Sequence, residues 1–237
     1  MSVRHAVIVT AAGASSRFNG PENTAEKNTL KKEFLSIGSE SVLCRSIKPF
    51  LKIEGLVAIV ITYRSGDLSQ VRELVSSLDT SSVNVIYVEG GATRQESVFN
   101  GLKVLKDYEK QLNISYVSIH DGARPFVETS LIKACIKTAE IYGGACPCIR
   151  VTDTLVRVDN EGVLSGRLDR TGVCTVQTPQ TFKFPDIYEA HLTAVEGKAY
   201  TDDSEIFMDW GGRVGSVKGD PANRKITYAE DLKENRQ

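Results

Sequence analysis

Short apolar runs alternate with amphipathic segments along the first 143 residues of the chain. Valine and isoleucine fill these runs without interruption, which is typical of strands that are covered on both faces. The predicted strands are 5–10, 56–62, 83–88 and 114–121. Between and after them, apolar residues recur at helical spacing, which predicts helices at 41–53, 67–78, 94–105 and 129–143. Strands that alternate with helices predict an α/β fold with a mostly parallel sheet and right-handed crossovers.

The pattern changes between residues 148 and 174. Two β-branched runs flank the turn sequence VDNEG, which predicts an antiparallel ribbon that stands off the main sheet. Because an isolated two-stranded ribbon is marginally stable in water, the ribbon should pack on something. A second copy of the chain is the favoured partner, and folding back on its own domain is the alternative. We interpret residues 1–237 as a single domain with a β-arm inserted at 148–174.

Composition and charge exclude several classes of protein. The chain is 41% hydrophobic and 25% charged, which suits one large core, and its net charge of −1 gives no general affinity for nucleic acid or anionic membranes. No apolar run approaches the roughly 20 residues that a membrane span needs, and the N-terminus lacks the layout of a signal peptide, so we expect a cytoplasmic protein. Five cysteines do not suggest a disulfide framework, and CPC at 146–148 is interpreted as buried thiols rather than a metal site.

The residues after each predicted strand are the candidates for chemistry, because α/β sheets bind ligands beyond the carboxyl ends of their strands. AAGASSR follows the first strand, and its small residues would let backbone N–H groups approach phosphate oxygens. Arg17 closes this loop and could fork onto two of those oxygens, although a lone arginine is more often solvated. Lys31 or Lys32 could return to the same phosphates, or both could belong to a basic surface loop.

Two further strand ends carry candidate residues. EGGATRQESV follows the third strand; Thr93 and Glu96 suit a helix cap, whereas Gly90 and Gly91 suit close approach of a flat base. Asp121 ends the fourth strand, where a carboxylate facing an anion-binding loop implies an intervening Mg²⁺ ion. The alternative is a simple pair with Arg124, and both arrangements could hold.

Seven motifs occur in the order found in one enzyme family. They are TAAGASSR, KKEFLSIG, GGATRQESV, HDGARPF, DRTGV, QTPQTF and NRKIT. Each is weak alone, but from Ile8 to Leu232 the ordered set resembles the 2-C-methyl-D-erythritol 4-phosphate cytidylyltransferases of the non-mevalonate isoprenoid route. The resemblance implies a Rossmann-like three-layer nucleotidyltransferase sandwich, a homodimer formed through the β-arm, and Mg²⁺ as cofactor. It also implies the monofunctional form of the enzyme, with CTP and methylerythritol phosphate as substrates.

The resemblance also implies the roles of individual residues. Those that would steady the charge on the α-phosphate are Arg17, Lys32 and Lys225, and Asp121 would help to hold Mg²⁺. Nucleotide-binding positions are Ala11, Ala12, Gly13, Gly90, Gly91, Arg94, Ser97 and Gly122. Substrate-binding positions are Arg124, Thr154, Arg170 and Thr178, of which Thr154 and Arg170 would reach a partner subunit from the arm.

The chain departs from the family pattern in three places. Ser15 replaces a glycine, so the backbone should approach a ligand less freely there. Lys31 replaces a proline, which leaves either Lys31 or Lys32 as the loop lysine, with Lys32 favoured by its register with EFLSIG. Residues 19–29 form a longer segment, interpreted as a lid.

Two other functions remain open at this stage. Ribitol 5-phosphate cytidylyltransferases share the motif order and would differ only at the polyol end, although AAG and HDGARP favour methylerythritol phosphate. A non-catalytic nucleotide-binding regulator could use the same fold. The cations and the carboxylate argue against a regulator, because simple binding needs no cations around the α-phosphate.

Overall fold

A computed structural model describes residues 3–19, 31–195 and 197–235, so residues 20–29 of the predicted lid lie outside the described chain. The strands are β1 (His5–Ala11), β2 (Ser36–Ile37), β3 (Glu40–Ser41), β4 (Leu56–Tyr63), β5 (Asn84–Glu89), β6 (Tyr116–Asp121), β7 (Gly143–Arg150), β8 (Leu155–Val158), β9 (Leu164–Leu168), β10 (Cys174–Val176), β11 (Gln180–Lys183) and β12 (Arg213–Lys218). The α-helices are α1 (Ser16–Asn19), α2 (Val42–Ile47), α3 (Leu68–Val75), α4 (Arg94–Leu112), α5 (Thr129–Tyr142), α6 (Phe184–Leu192) and α7 (Asp203–Asp209).

The main sheet is mixed, with a parallel centre. Within the described residues its order is β10–β7–β11–β6–β1–β4–β5, and β12 also pairs with β7, in parallel. Strands β6, β1, β4 and β5 run parallel to one another, whereas β11 is antiparallel to β6. The carboxyl ends of β1, β4, β5 and β6 therefore open on one edge, as the alternation of strands and helices predicts.

Both faces of the central strands are buried. Along β1, Ala6 and Ile8 pack in one cluster with residues of α4, α6 and α7, whereas Val7 and Val9 pack in a second cluster with residues of α2 and α3. All four side chains have no exposed surface. Burying each larger aliphatic side chain stabilises the fold by about 1.5–3 kcal/mol, which explains why these runs lack polar positions.

Two helices differ in length from their predicted spans. Helix α2 ends at Ile47, and a 3₁₀ turn from Phe50 to Lys52 follows, because Pro49 has no N–H to continue the helical ladder. Helix α4 continues to Leu112 instead of ending at 105, and Asn113 stops it in the left-handed conformation with φ of 51°. The predicted cap is confirmed, since the Thr93 hydroxyl accepts the N–H of Glu96 at 3.1 Å.

The predicted ribbon is a separate antiparallel sheet of β8 and β9. Its turn is held by the Asp159 carboxylate, which accepts the N–H groups of Glu161 and Val163. The predicted ends of the arm are wrong, because 148–150 and 174–176 pair as β7 and β10 in the main sheet. The arm therefore spans residues 151–173. None of the helices that the structure describes is long and apolar enough to cross a membrane.

Candidate active site

A cavity of about 410 Å³ opens at the carboxyl edge of the parallel strands. Four strand ends contribute to it, as expected for an α/β sheet. Its lining comprises residues 12–18 after β1, Lys32 and Glu33, Arg64 after β4, residues 91–94 and Ser97 after β5, Asp121 and Ala123 at β6, and Lys225 and Thr227 near the C-terminus. The edge therefore gathers five basic side chains around one aspartate and one glutamate.

Ser15 shapes the loop after β1 differently from the expectation. It adopts a φ of 53°, a conformation that costs a residue other than glycine about 1–2 kcal/mol. Its hydroxyl donates to the Glu33 carboxylate at 3.3 Å and accepts the backbone N–H of Lys32 at 3.4 Å. The serine thus takes the glycine-like backbone conformation and also ties the loop after β1 to the segment that carries Lys32.

The two adjacent lysines lie in different environments. Lys32 lines the cavity, is 8% exposed, and donates from its ammonium to the carbonyl oxygen of Ile226 at 2.9 Å. Burial lowers the pKa of Lys32, although the neighbouring Glu33 carboxylate opposes this shift. Lys31 instead forms an ion pair with Asp67 and does not contribute to the cavity lining. Geometry therefore favours Lys32 as the cation that faces a ligand.

Asp121 is the acidic centre of the cavity and is only 6% exposed. Lys225 Nζ lies 2.8 Å from its Oδ2, Arg94 Nε 3.3 Å from Oδ1, and Arg124 Nε 3.5 Å from Oδ2. Burial alone would raise the pKa of Asp121, but Lys225, Arg94 and Arg124 together hold it below its usual range. Asp121 is thus a shared counter-ion, and Arg124, the sequence-predicted partner, makes the longest of its three contacts.

Arg94 also forms an ion pair with a second buried carboxylate, which lies in the C-terminal part of the chain. Its Nη1 lies 2.8 Å from Oδ2 of Asp203, which is fully buried at the start of α7. His191 Nε2 lies 3.2 Å from the other oxygen of Asp203. Burial lowers the pKa of Arg94, but the two carboxylates more than reverse this and raise it, so the guanidinium stays charged. One arginine therefore bridges two buried carboxylates.

The two glycines after β5 have a packing role that the sequence interpretation missed. A Cβ on Gly90 would lie 2.4 Å from Cβ of Ala12, and one on Gly91 would lie 2.3 Å from Cβ of Glu96. The backbone of the loop after β5 therefore packs directly against the Ala12 side chain of the loop after β1. The expected approach of a flat base stays a prediction for Gly91, which lines the cavity, whereas Gly90 does not line it.

Several predicted site residues lie beside the cavity lining rather than in it. Ala11 is buried within β1, and a Cβ on Gly122 would lie 2.8 Å from the carbonyl oxygen of Thr10. Thr178 helps to position Asp121, because its hydroxyl accepts the backbone N–H of Asp121 at 3.0 Å. Arg124 donates to the carbonyl oxygen of Asn223 at 2.9 Å, which braces the loop before Lys225.

Thr154 and Arg170 lie on the arm, and neither lines the cavity of its own chain. Arg170 donates to the carbonyl oxygen of Thr152, so it spans the base of the arm. The described structure therefore does not bring these two predicted site residues to the cavity of their own chain.

Sequence reasoning missed three residues that belong to this site. Arg64 follows β4 at the same edge, so the strand-end rule alone would have found it. Glu33 follows two lysines, so the sequence drew attention to the basic residues instead. In the structure it is buried, contacts Ser15 and lines the cavity. Asp203 follows Asp202, which caps α7 by accepting the N–H of Glu205. This cap pattern in the sequence could have predicted the start of a helix at Asp203.

A mostly parallel sheet with a small-residue loop and clustered cations at its carboxyl edge defines an α/β nucleotidyltransferase. The model of one family within this class, 2-C-methyl-D-erythritol 4-phosphate cytidylyltransferase, matches residues 5–236. This chain belongs to that family.

Individual relatives agree with this assignment. The chain is 36% identical to the enzyme of that name from Clostridium acetobutylicum over 227 residues, which cover 95% of this chain and 93% of the relative. It is 34% identical to the Geobacillus kaustophilus enzyme of that name over 231 residues, covering 97% and 94%. The crystal structure of 4-diphosphocytidyl-2C-methyl-D-erythritol synthase from Anaerococcus prevotii has a TM-score of 0.79 and 26% identity, covering 98% and 94%.

Proposed function

We propose that the chain transfers a cytidylyl group from CTP to 2-C-methyl-D-erythritol 4-phosphate. The substrate phosphate attacks the α-phosphorus of CTP, the bond to the bridging oxygen breaks, and pyrophosphate leaves. The observation that carries this proposal is the convergence of Arg17, Lys32 and Lys225 on one cavity beside Asp121. Membership of the cytidylyltransferase family supports CTP as the donor and methylerythritol phosphate as the acceptor.

The chemistry requires positioning and charge neutralisation rather than a strong base. A phosphate oxygen is already ionised at neutral pH, so the main obstacles are repulsion between two anions and their alignment. Holding two reactants in line can lower the barrier by roughly 7–11 kcal/mol. Each fixed donor aimed at developing charge contributes about 3–4 kcal/mol, which is the role we assign to Arg17, Lys32 and Lys225.

Two of the three cations are held in place by contacts within the chain, and the third is exposed. Lys32 is anchored by the carbonyl oxygen of Ile226, and Lys225 by the carboxylate of Asp121. Arg17 lies exposed on the short helix α1, directly after the small-residue loop, where it can move onto phosphate oxygens. Two held cations and one exposed cation suit a triphosphate that enters from solvent.

The small residues of the first loop suit the nucleotide itself. Ala12, Gly13 and Ala14 line the cavity with little side chain, so a ligand can reach their backbone N–H groups. Across the cavity, Gly91 and Ser97 face the same space, and the Ser97 hydroxyl accepts the N–H of Gly91 at 3.1 Å. We assign the cytosine to the space between these two loops.

The donor groups of the cavity fit a Mg²⁺ ion that arrives with the nucleotide. No cluster of three or more acidic, histidine or cysteine side chains suited to a metal occurs within the described ranges, so the chain does not offer a complete metal cage. Asp121 offers one ionised carboxylate on the cavity wall, and Mg²⁺ commonly takes one or two carboxylates together with phosphates and water. Mg²⁺ held by Asp121 and the phosphates would neutralise charge on the triphosphate.

The acceptor end of the site involves the arm of a second copy, in our proposal. Thr154 and Arg170 lie on the arm, away from the cavity lining of their own chain. The arm also exposes Val156, Val158 and Leu164, with 41%, 57% and 68% of their surfaces accessible. An isolated ribbon with such side chains gains stability when a partner covers it, which favours a homodimer in which the arms cross.

A side-by-side assay of two acceptors tests the proposed reaction. The protein is incubated with CTP, Mg²⁺ and either methylerythritol 4-phosphate or ribitol 5-phosphate, and pyrophosphate release is measured. We expect release with methylerythritol phosphate at a kcat/KM at least about tenfold higher, since an unmatched polar contact costs about 1–3 kcal/mol. Release with ribitol phosphate alone would contradict the acceptor, and CTP binding without release from either acceptor would support a regulator.

Mixing two inactive variants tests the crossed arms. Arg170→Ala removes the arm contact and Lys225→Ala removes the cavity cation, so each homodimer should be inactive. If each site takes Arg170 from its neighbour, a mixed dimer holds one intact site, and random exchange should restore up to about a quarter of wild-type activity. Subunit exchange is verified with differently tagged copies, and exchange without any recovery would rule out the shared site.

A further inference from the structure

A second cavity, of about 580 Å³, lies at the foot of the arm. Two thiols line it, from Cys148 on β7 and Cys174 on β10, together with the basic residues Arg150 and Lys218. Ile149 and Val217 also contribute to its lining. None of these residues contributes to the active-site cavity, so the proposed transfer reaction leaves this cavity unexplained.

Strand pairing places the thiols and the cations on one face of the sheet. Cys174 is opposite Arg150 in the antiparallel pair of β10 and β7, and Lys218 of β12 is opposite Cys148 on the other side of β7. Paired residues project to the same face of a sheet, and so do residues two apart on one strand. Cys148 therefore has positive side chains on the neighbouring strand and along its own strand.

A third thiol, that of Cys146, favours the thiolate form of Cys148. Cys146 is buried, precedes Cys148 by two residues, and projects to the same face. The neighbouring Cys146 thiol lowers the pKa of Cys148, although burial and the Asp202 carboxylate oppose this shift. A thiolate is the reactive form of cysteine, and Cys148 is only half-buried at the cavity wall, so a reagent can reach it.

We propose that Cys148 is a modification site for small anionic disulfides of the class of oxidised glutathione. The Cys148 thiolate attacks one sulfur of the disulfide, a new S–S bond forms, and the original S–S bond breaks. The released half leaves as a thiolate and takes up the proton that Cys148 gave to solvent. Cys148 is oxidised and the released thiol is reduced, so no other oxidant is needed.

The charged residues of the cavity explain the preference for an anion. The carboxylates of the bound half can pair with Arg150 and Lys218, which are both exposed at the rim. A neutral disulfide would lack this pairing.

The mixed disulfide should persist instead of turning into an internal disulfide. Cys174 is diagonal to Cys148 across the strand pair, where Cα atoms are about 7–8 Å apart. A disulfide requires Cα atoms within about 6.8 Å, and Cys146, two residues along an extended strand, lies near that limit. Strand geometry thus disfavours resolution by either neighbouring thiol.

The test treats the full-length protein with oxidised glutathione and follows intact mass and peptide maps. We expect a single glutathionyl adduct, located on Cys148, in the wild type. The adduct should be absent in Cys148→Ser and should still form in the matched variant Cys174→Ser. A first adduct on Cys174 with Cys148 unmodified would overturn the proposal, and so would an internal disulfide as the main product.

Two comparisons separate a built site from simple exposure. Replacing Arg150 and Lys218 with alanine should slow the reaction with oxidised glutathione by roughly three- to tenfold and leave the reaction with neutral hydroxyethyl disulfide unchanged. Equal slowing with both reagents would refute the role of the cations. Saturating CTP should not change the rate, because the two cavities share no residue; protection by CTP would contradict a separate site. These readouts do not depend on the proposed transfer reaction.

Discussion

Replacing Lys225 with alanine is expected to lower kcat for pyrophosphate release by about 10²- to 10³-fold. Lys225 lines the cavity and contacts Asp121 at 2.8 Å, so its charge is held in place beside that carboxylate. In the proposed reaction, the α-phosphate of CTP lies next to this charge. The α-phosphate gains charge in the transition state, and removal of a fixed cation should therefore affect kcat more than KM. Steady-state kinetics with CTP varied at saturating acceptor measures this split.

Arg17→Ala and Lys133→Ala make the test of Lys225 specific. Arg17 lines the same cavity and should show a loss of the same order, whereas Lys133 lies exposed on α5 outside the cavity and should show none. Thermal unfolding of Arg17→Ala and Lys133→Ala should stay close to that of the wild type, whereas Lys225→Ala should also lose stability, because Lys225 compensates the buried carboxylate of Asp121. The loss of kcat in Lys225→Ala is therefore measured at a temperature where the variant is folded. Normal turnover in Lys225→Ala or Arg17→Ala would remove the basis of the proposed mechanism.

Replacing Arg94 with methionine is expected to destabilise the protein by about 3–5 kcal/mol. The substitution removes the guanidinium that bridges Asp121 and Asp203 and leaves two buried carboxylates with less compensation. Methionine keeps most of the side-chain volume, so packing should contribute little to the loss. Urea unfolding at pH 7 measures the free energy of unfolding, with the exposed Arg157→Met on the arm as control.

The pH dependence of this loss identifies its electrostatic origin. In the wild type, cationic partners, Arg94 among them, hold the pKa values of Asp121 and Asp203 below the usual range against the effect of burial. A carboxylate with a lowered folded-state pKa stabilises the fold above its unfolded pKa of about 3.9, and this stabilisation is lost as the pH falls through the folded value. The difference between wild type and Arg94→Met should therefore be largest near pH 7 and narrow below about pH 4. A difference that is constant with pH would indicate lost packing instead.

Local signals in the sequence were sufficient for the parallel half of the fold. The runs that became β1, β4 and β6 are continuous and buried on both faces, and the run that became β5, at the sheet edge, is continuous and partly buried, so hydrophobicity alone distinguishes them. The carboxyl-edge rule then located the loop after β1 and Asp121 without any contact information. Beyond residue 174, by contrast, strands of three or four residues such as β10 and β11 carry too little periodicity to be assigned.

Burial decided the details of the site that the sequence left open. Lys31 and Lys32 are neighbours with the same local pattern, and only tertiary contacts direct one to Asp67 and the other to Ile226. Gly90 illustrates the same limit, because the sequence indicates a need for space but cannot tell whether a ligand or Ala12 fills it. Roles in binding CTP and the acceptor stay predictions for the individual residues.

The contact between the Lys32 ammonium and the Ile226 carbonyl joins positions 194 residues apart, close to the two ends of the chain. The peptide N–H of Ile226 donates a hydrogen bond to the carbonyl oxygen of Ala123, so the C-terminal segment around Ile226 also contacts the middle of the chain. During synthesis at roughly 5–20 residues per second, the N-terminal half of the sheet would wait on the ribosome for many seconds before this segment emerged. A nascent or prematurely terminated chain could therefore contain a largely formed sheet and still have no catalytic competence, since the lysine would lack its anchor until translation had ended.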